Sequence, residues 1–278
     1  MGRIEARFRT LKQEGRKALV VYLTAGDPTL QATASLIPAL EAAGADIVEI
    51  GVPFSDPTAD GPVIQAASQR ALRGGTTLEK ILAMIASLRR TCGIPIVLFG
   101  YYNPLLGYGT QRFAADAAAS GVDGILVVDL PPEESDELRR WTDPAGLAFI
   151  SLIAPTTAPK RARRILRGAA GFVYFISVTG VTGTAAPRIE EIGHAIGKFR
   201  PMTTLPVAVG FGISTPAQAA AIAPLADGIV VGSALVRLIA ETGQRGDPVP
   251  AAAAFTAMLR RAIDGEVADG RMRPPLPE

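Results

Sequence analysis

The sequence predicts an α/β protein, namely a closed (β/α)8 TIM barrel with an extra N-terminal helix. Short β-rich runs alternate with Ala-, Leu- and Ile-rich stretches of helical spacing, and this cycle occurs eight times. Most of the runs are continuously apolar, as at residues 125–128, which is typical of parallel strands covered by helices on both faces. Eight units favour a closed barrel over a doubly wound sheet, which usually has about five or six strands.

The predicted strands are short runs bounded by Gly, Pro, Asp or Asn. They cover residues 18–25, 46–52, 94–101, 124–129, 148–154, 171–178, 205–210 and 228–231. No linker is long enough to separate two domains, so we expect a single barrel domain over residues 1–278. Residues 265–278 are rich in Pro and charge, which predicts a frayed tail.

Helix start and stop signals lie between these runs, and several of the helices open with Pro in the first turn. The predicted helices cover residues 29–43 (or from 31), 62–72, 78–90, 111–120, 132–141, 159–167, 187–199 and 216–223. Residues 4–15 are predicted to cap the bottom of the barrel, a short helix to begin near Ser233, and residues 250–263 to form an eighth or extra outer helix.

Composition excludes several classes of function. Hydrophobic residues make up 48% of the 278 residues and charged residues 19%, which is typical of a folded enzyme-sized domain. A net charge of +2 gives no reason to expect nucleic acid or an anionic membrane as a partner. The apolar runs are too short to span a bilayer and the N-terminal segment lacks a signal-peptide core. With a lone cysteine, Cys92, these features predict a soluble, cytoplasmic protein.

The types of residue that are scarce limit the mechanism. All five lysines fall outside the predicted strands, so a Schiff-base mechanism inside the barrel is not expected. The one histidine, His194, lies alone in a predicted helix, which argues against a metal site. Carboxylate acid–base chemistry on a phosphorylated substrate is the remaining prediction.

Glu49 is embedded in an apolar strand, where it shares a face with Ile47 and Gly51. A carboxylate buried inside the barrel is costly unless it functions or is paired, and burial would raise its pKa towards that of a working acid or base. We therefore predict that Glu49 is catalytic. The alternative is a core glutamate satisfied by a neighbouring hydroxyl or backbone group.

Asp60 lies eleven residues later, in a loop rich in Pro and Asp that projects above the barrel mouth, where active sites of this fold lie. A second carboxylate there would meet a substrate. The same residues could equally form turns or cap the helix that begins at Pro62. Asp129, at the end of the fourth strand, is a weaker candidate to orient Asp60 or a lid, with turn formation as its alternative.

Phosphate binding is expected at the seventh and eighth units, as in many barrels. The seventh strand ends in a run that contains Gly210 and Gly212, and the eighth is followed by Gly232 and Ser233. Glycines allow close approach of backbone N–H groups, and the helix beginning near Ser233 would direct its positive end at the anion. Residues 179–186 are small and Gly-rich, which suits a mobile lid or a plain flexible connection.

Five segments together resemble the tryptophan synthase α chain family. They are residues 24–28 (TAGDP), 48–57 with 59–61 (VEIGVPFSDP and ADG), 180–183 (GVTG), 210–213 (GFGI) and 232–234 (GSA). They fall in the expected barrel units, and the resemblance spans roughly residues 8–255. Thr58 stands where the family usually has an apolar residue, and Val178 where some members have Arg, which predicts a difference in lid closure.

The resemblance implies cleavage of indole-3-glycerol phosphate to indole and glyceraldehyde 3-phosphate. It implies that Glu49 and Asp60 are the catalytic pair, and that the substrate or its phosphate is bound by a further set of residues: Tyr174, Thr182, Gly183, Phe211, Gly212, Gly232 and Ser233. It further implies a tryptophan synthase β chain as partner in an α2β2 complex, with no cofactor in this chain and pyridoxal phosphate only in the β chain.

Three other interpretations stay open at this point. Another phosphosugar barrel enzyme would share the phosphate motifs but gives no reason for Glu49 and the Asp60 loop, and the common metal-dependent epimerases need ligands that are scarce here. A non-catalytic subunit is disfavoured because both carboxylates are present. A stand-alone lyase that releases indole would use the same residues, so the sequence does not separate it from the complexed form.

Overall fold

A ring of parallel strands forms the centre of the protein. The computed structural model describes residues 2–176, 189–210 and 212–265, in which nine strands form one sheet. In chain order they are β1 (Ala18–Thr24), β2 (Ile47–Gly51), β3 (Ile96–Gly100), β4 (Gly124–Val127), β5 (Ala148–Phe149), β6 (Ser151–Ile153), β7 (Val173–Ile176), β8 (Val207–Gly210) and β9 (Gly228–Val231).

The barrel closes at the fifth predicted strand. The strand order is β5-β4-β3-β2-β1-β9-β8-β7-β6, so the two ends of the sheet are β5 and β6, and only Ile150 separates them along the chain. β5 pairs with β4, and β6 pairs with β7. The Ile150 N–H donates to the Ile125 carbonyl at 2.8 Å, which continues the β4 ladder. The predicted strand 148–154 is therefore one strand in two halves, and the eight-unit barrel is confirmed.

Twelve α-helices lie in the described part of the chain. They are α1 (Arg3–Gln13), α2 (Leu30–Ala42), α3 (Pro62–Arg73), α4 (Leu78–Leu88), α5 (Tyr102–Tyr108), α6 (Thr110–Ser120), α7 (Asp136–Thr142), α8 (Pro159–Arg167), α9 (Ile189–Phe199), α10 (Pro216–Ile222), α11 (Ser233–Gly243) and α12 (Val249–Ile263). None of the helices in residues 2–176, 189–210 and 212–265 is long and apolar enough to cross a membrane.

Most of the predicted helices are present, with three differences. Helix α5 was not predicted, α11 runs for eleven residues where a short helix was expected, and α7 begins at Asp136 because residues 132–135 form turns. Helix α12 packs against both α2 and α10, so it is the eighth helix of the outer ring. Helix α3, by contrast, packs on α11 and β1.

Helix α1 fills the N-terminal end of the barrel, as predicted. Its side chains Ile4, Phe8 and Leu11 are buried with the inward-facing residues of the strands. The Phe8 ring lies 5.7 Å from the ring of Phe172, between centroids. A Cβ on Gly124, at the start of β4, would approach the Ile4 Cδ1 to 3.2 Å, which leaves little room at this end.

Buried carboxylates tie the strand starts to the outer helices at the same end. The Asp46 carboxylate accepts from the Leu19 N–H and from Arg7 and Arg260. The Asp123 carboxylate accepts from Arg89 Nη2 at 2.6 Å and from the Ile96 N–H at 2.8 Å. These contacts lie away from the carboxyl ends of the strands, which is where chemistry is expected in this fold.

The remaining predicted boundaries fall partly outside the description. The sixth predicted strand, 171–178, is described to Ile176, and the helix predicted over 187–199 from Ile189. The predicted lid, 179–186, lies outside the described residues, as do Val178 and residues 266–278 of the expected tail.

Candidate active site

Glu49 points into the barrel from β2. It lies opposite Tyr22 on β1 and Val97 on β3, and Ile47 on the same face packs among the inward-facing residues. The Glu49 side chain is 1% exposed, and neither carboxylate oxygen has a hydrogen-bond partner among the described residues. Burial raises the pKa of Glu49 from 4.5 to about 8, because the ionised form has lost its water. The described residues therefore do not supply the neighbouring hydroxyl or backbone group that the alternative of a satisfied core glutamate requires.

Aromatic rings form the wall beside Glu49. The rings of Tyr22 and Phe99 pack edge to face with centroids 5.2 Å apart, and Tyr174 enters from β7. The Tyr22 hydroxyl lies 3.5 Å from Thr24 Oγ1. Burial, together with the charges of Asp60 and Glu49, raises the pKa of Tyr22, so its hydroxyl stays protonated at neutral pH.

Two glycines make room for these rings. A Cβ on Gly51 would overlap the Tyr22 hydroxyl, and a Cβ on Gly210 would overlap the Tyr174 hydroxyl. Gly51 follows Glu49 by two residues on the inward face of β2, and Gly210 ends β8. The hydroxyl of Tyr22 therefore lies over the neighbouring strand β2, and that of Tyr174 lies over the neighbouring strand β8.

Asp60 lies on the loop that connects β2 to α3. Within this loop the Thr58 N–H donates to the Asp56 carbonyl at 2.9 Å, and the Asp60 N–H to the Pro57 carbonyl at 3.1 Å, so the predicted turns are present. Gly61 is the N-cap of α3, so Asp60 is not the cap. Gln65 Nε2 donates to the backbone carbonyl of Asp60 at 2.8 Å, and so holds the main chain at this point.

Tyr101 anchors the Asp60 loop and was missed by the sequence analysis. Its hydroxyl accepts from the Ala59 N–H at 2.9 Å and donates to the Asp60 carboxylate, while its ring packs 5.3 Å from that of Phe54. Burial raises the pKa of Asp60 from 3.8 to about 6, although the bond from Tyr101 favours ionisation. The sequence did contain one indication of this role, because Tyr101 is the last residue of the third predicted strand and therefore lies at the barrel mouth.

Helix α11 begins where β9 ends. Gly232 is its N-cap and offers no side chain, so the N–H groups of the first turn, beginning at Ser233, point to the mouth without intrahelical acceptors. Gly212 is exposed and has a φ of +80°, which favours glycine. Thr182, Gly183 and Phe211 lie outside the described residues.

Asp129 contacts the start of α5, whereas the sequence suggested a contact with Asp60 or the lid. Its carboxylate accepts from the Tyr102 N–H at 2.8 Å, at the first residue of α5. It therefore fixes the start of a helix at the barrel mouth, and among the described residues it makes no hydrogen bond with Asp60. Thr58 is exposed in the loop, where its backbone makes the turn described above.

The geometry brings together two carboxyl groups in different environments, one fully enclosed and one at the mouth. Such separation of pKa values is how proteins assign acid and base roles to like groups. Among the described residues no group of three His, Cys, Asp or Glu side chains is arranged to hold a metal ion. Fold and site thus define a (β/α)8 barrel enzyme whose side chains are suited to acid–base chemistry on a small molecule.

Comparison with known proteins gives the family. The model of the tryptophan synthase alpha chain family matches residues 8–262. An alpha chain from Geobacter sulfurreducens is 54% identical over 268 residues, covering 95% of this chain and 99% of the relative. A solved subunit alpha from Legionella pneumophila superposes with a TM-score of 0.88 at 40% identity, covering 95% of this chain and 99% of that one. A tryptophan synthase structure from Mycobacterium tuberculosis is 36% identical with a TM-score of 0.86, covering 94% and 98%.

The chain belongs to the tryptophan synthase alpha chain family. It is a carbon–carbon lyase of tryptophan biosynthesis, and its reaction is the cleavage of indole-3-glycerol phosphate to indole and glyceraldehyde 3-phosphate.

The raised pKa of Glu49 predicts a pH-dependent cost to stability. The unfolded chain loses this proton near pH 4.5 and the folded chain only near pH 8, so wild-type stability falls as pH rises between these values. Glu49→Gln has no such proton. We expect its free energy of unfolding, measured in urea from pH 5 to 9, to rise steadily relative to wild type up to about pH 8.

The exposed residue Glu134 provides the control, because Glu134→Gln makes the same substitution on the surface of the protein. A constant difference between Glu49→Gln and wild type across the whole pH range would show that Glu49 ionises normally in the folded protein.

Proposed function

We propose that Glu49 is the general acid and base of the lyase reaction, and that Asp60 stabilises the charged ring. The observation that carries the proposal is the enclosed Glu49 carboxyl group, whose two oxygens have no hydrogen-bond partner among the described residues. An unpaired carboxyl group in this position is costly for folding, and a bound substrate would supply the missing partners.

The proton balance fits one residue acting twice. At neutral pH the Glu49 carboxyl is mostly protonated, since its pKa is about 8, and it can deliver this proton to C3 of the indole ring. The ionised Glu49 then removes the proton of the side-chain hydroxyl as the carbon–carbon bond breaks. The bonding electrons return to the ring, glyceraldehyde 3-phosphate leaves as the aldehyde, and Glu49 regains its proton.

Asp60 would act on the other side of the ring. Protonation at C3 makes the ring nitrogen more acidic and partly positive. With a pKa of about 6, Asp60 is mostly ionised at neutral pH and can accept a hydrogen bond from this N–H. The Tyr101 hydroxyl, which donates to Asp60, would hold the carboxylate in that orientation.

The phosphate would lie against α11 and the end of β8. The first-turn N–H groups after Gly232 and the positive end of the helix favour an anion without any lysine or arginine. Ser233 and Gly212 would complete this side, with Tyr174 bordering the substrate. Thr182, Gly183 and Phe211 are proposed to contribute on sequence grounds alone.

We further propose a β chain as the partner of this chain, in an α2β2 complex that works in the cytoplasm. Pyridoxal phosphate would belong to the β chain and this chain would carry no cofactor. A cleft of about 270 Å³ opens between the start of the Asp60 loop and α5, with Pro53 and Pro104 in its lining. Leu106 on α5 is 47% exposed, so the same face presents apolar surface that a partner would cover.

The first test is activity. Glu49→Gln and Asp60→Asn should each lower kcat for indole release by about 10²- to 10⁴-fold, because each removes an ionisable group from a preformed pocket. Circular dichroism and thermal unfolding would establish that both variants are folded. Near-normal turnover of Glu49→Gln at saturating substrate would contradict its assignment.

The phosphate site is tested at Gly232. A Cβ there would only touch that of Tyr22 at 3.4 Å, so Gly232→Ala has room for its side chain, and circular dichroism would establish that it folds. By crowding the N–H groups it should raise KM about tenfold, as expected for one weakened bond to a charged group.

Gly197→Ala is the matched control, because this glycine lies in α9 with open space around it. Inhibition by glycerol phosphate should weaken in Gly232→Ala only. Equal inhibition of Gly232→Ala and wild type would place the phosphate elsewhere.

The partner is tested by measuring the lyase rate against added β chain. We expect a slow rate alone and a faster one in complex, because docking on this face would order the Asp60 loop and exclude water. Leu106→Ala should raise the β-chain concentration needed for half-maximal activation. Met258→Ala, which truncates a similarly exposed side chain on α12, should not.

A high rate without the partner and no response to it would instead favour a stand-alone lyase.

A further inference from the structure

An ion pair at the barrel mouth joins the segments that carry the two proposed catalytic carboxylates. Arg70 donates through Nε and Nη2 to the two oxygens of Asp27, at 2.7 and 2.8 Å. The Asp27 side chain is 1% exposed and that of Arg70 is 37% exposed. A two-point bond between planar groups fixes orientation as well as distance.

Asp27 is held to the strand of Glu49. It follows β1, whose last residue, Thr24, pairs with Gly51 of β2. The next N–H, that of Ala25, donates to the Gly51 carbonyl at 2.9 Å. The Asp27 N–H donates back to Thr24 at 3.2 Å, and so the loop continues the β1–β2 ladder as a rigid extension.

Arg70 is held to the segment of Asp60. It lies in the last turn of α3, and this helix begins directly after Asp60 and Gly61. Near the start of this helix, Gln65 donates a hydrogen bond to the Asp60 backbone carbonyl. Because a helix is stiff over three turns, a displacement at Arg70 would be transmitted to the loop end.

Besides the packing of α3 on α11 and β1, few polar contacts set this geometry. The loop between β2 and α3 is exposed over Ser55 and Asp56 and consists largely of turns, so it does not itself fix where α3 lies. Tyr101 orients the end of the loop from β3. Among the described residues, the other polar contact that links the strands around Glu49 to the loop and helix that follow Asp60 is the Asp27–Arg70 ion pair.

We infer that Asp27 and Arg70 are positioning residues, which set the placement of Asp60 relative to Glu49 for the lyase reaction. The inference rests on the proposed roles of those two carboxylates. Lysine should not replace Arg70, because an ammonium group cannot bond both Asp27 oxygens in one plane. Small misplacements of a catalytic group can cost about 10²-fold in rate.

The test is a cycle of variants of the full chain: wild type, Arg70→Lys, Asp60→Asn, and the double variant, each assayed for indole release from indole-3-glycerol phosphate. We expect Arg70→Lys to lower kcat at least tenfold with little change in KM. In the Asp60→Asn background the same substitution should cost less than about twofold, because the group that it positions is already disabled.

Arg16→Lys is the matched control, since Arg16 also donates through Nε and Nη2 to the two oxygens of a carboxylate, that of Asp264, at the opposite end of the barrel. It should lower the melting temperature without a selective loss of kcat. If Arg70→Lys proves unstable, Asp27→Asn combined with Arg70→Gln leaves no unpaired charge, and the same cycle is run with it.

The outcomes separate this inference from the proposed function. Normal turnover of Asp60→Asn would refute the role of Asp60 and, with it, the inference. A large loss in Asp60→Asn with normal kcat in Arg70→Lys would overturn the inference alone. Equal losses from Arg70→Lys in both backgrounds would also overturn it, because that result describes a purely structural pair.

Discussion

The closed ring of backbone hydrogen bonds is the constraint on which the rest of the structure depends. Because all strands are parallel and the ring closes at Ile150, their carboxyl ends share one mouth, and residues as distant in sequence as Glu49 and Gly232 both lie beside Tyr22. Alternation along β2 then sends Glu49 inward with Ile47. The opposite end is closed by α1 and braced by buried carboxylates such as Asp46, so that stability and chemistry occupy opposite ends.

Different degrees of burial give the carboxyl groups of Glu49 and Asp60 different pKa values. Glu49 is enclosed by apolar walls and tyrosine rings, and its pKa of about 8 keeps a proton available at neutral pH. Asp60 has the Tyr101 hydroxyl beside it, which favours the ionised form, and with a pKa of about 6 it is mostly ionised under the same conditions. A buried Glu49 with no hydrogen-bond partner in the described part of the chain is a cost to folding, and the stability of the barrel around it must offset that cost.

The sequence predicts the features that depend on local pattern. Apolar runs located the strands, and the strand alternation placed Glu49 on a face with Ile47 that proved to be inward. Features that depend on contacts distant in sequence were not predictable. Helix α5 has an unfavourable Asn103-Pro104 step and a glycine, but its start is capped by Asp129 from another unit. The role of Tyr101 likewise depends on a loop forty residues earlier, and the Asp27–Arg70 pair on a packing that no spacing rule encodes.

The two glycines beside the tyrosine hydroxyls limit which substitutions this pocket can accept. Any mutation at Gly51 or Gly210 introduces a Cβ that collides with Tyr22 or Tyr174, so neither position can contribute new recognition groups without a second, compensating change. Phe99 offers an easier route, because shortening it enlarges the cavity and leaves the backbone unaltered. A change of substrate, in evolution or in the laboratory, is therefore expected to favour larger ring systems. A change to smaller ring systems would require paired mutations.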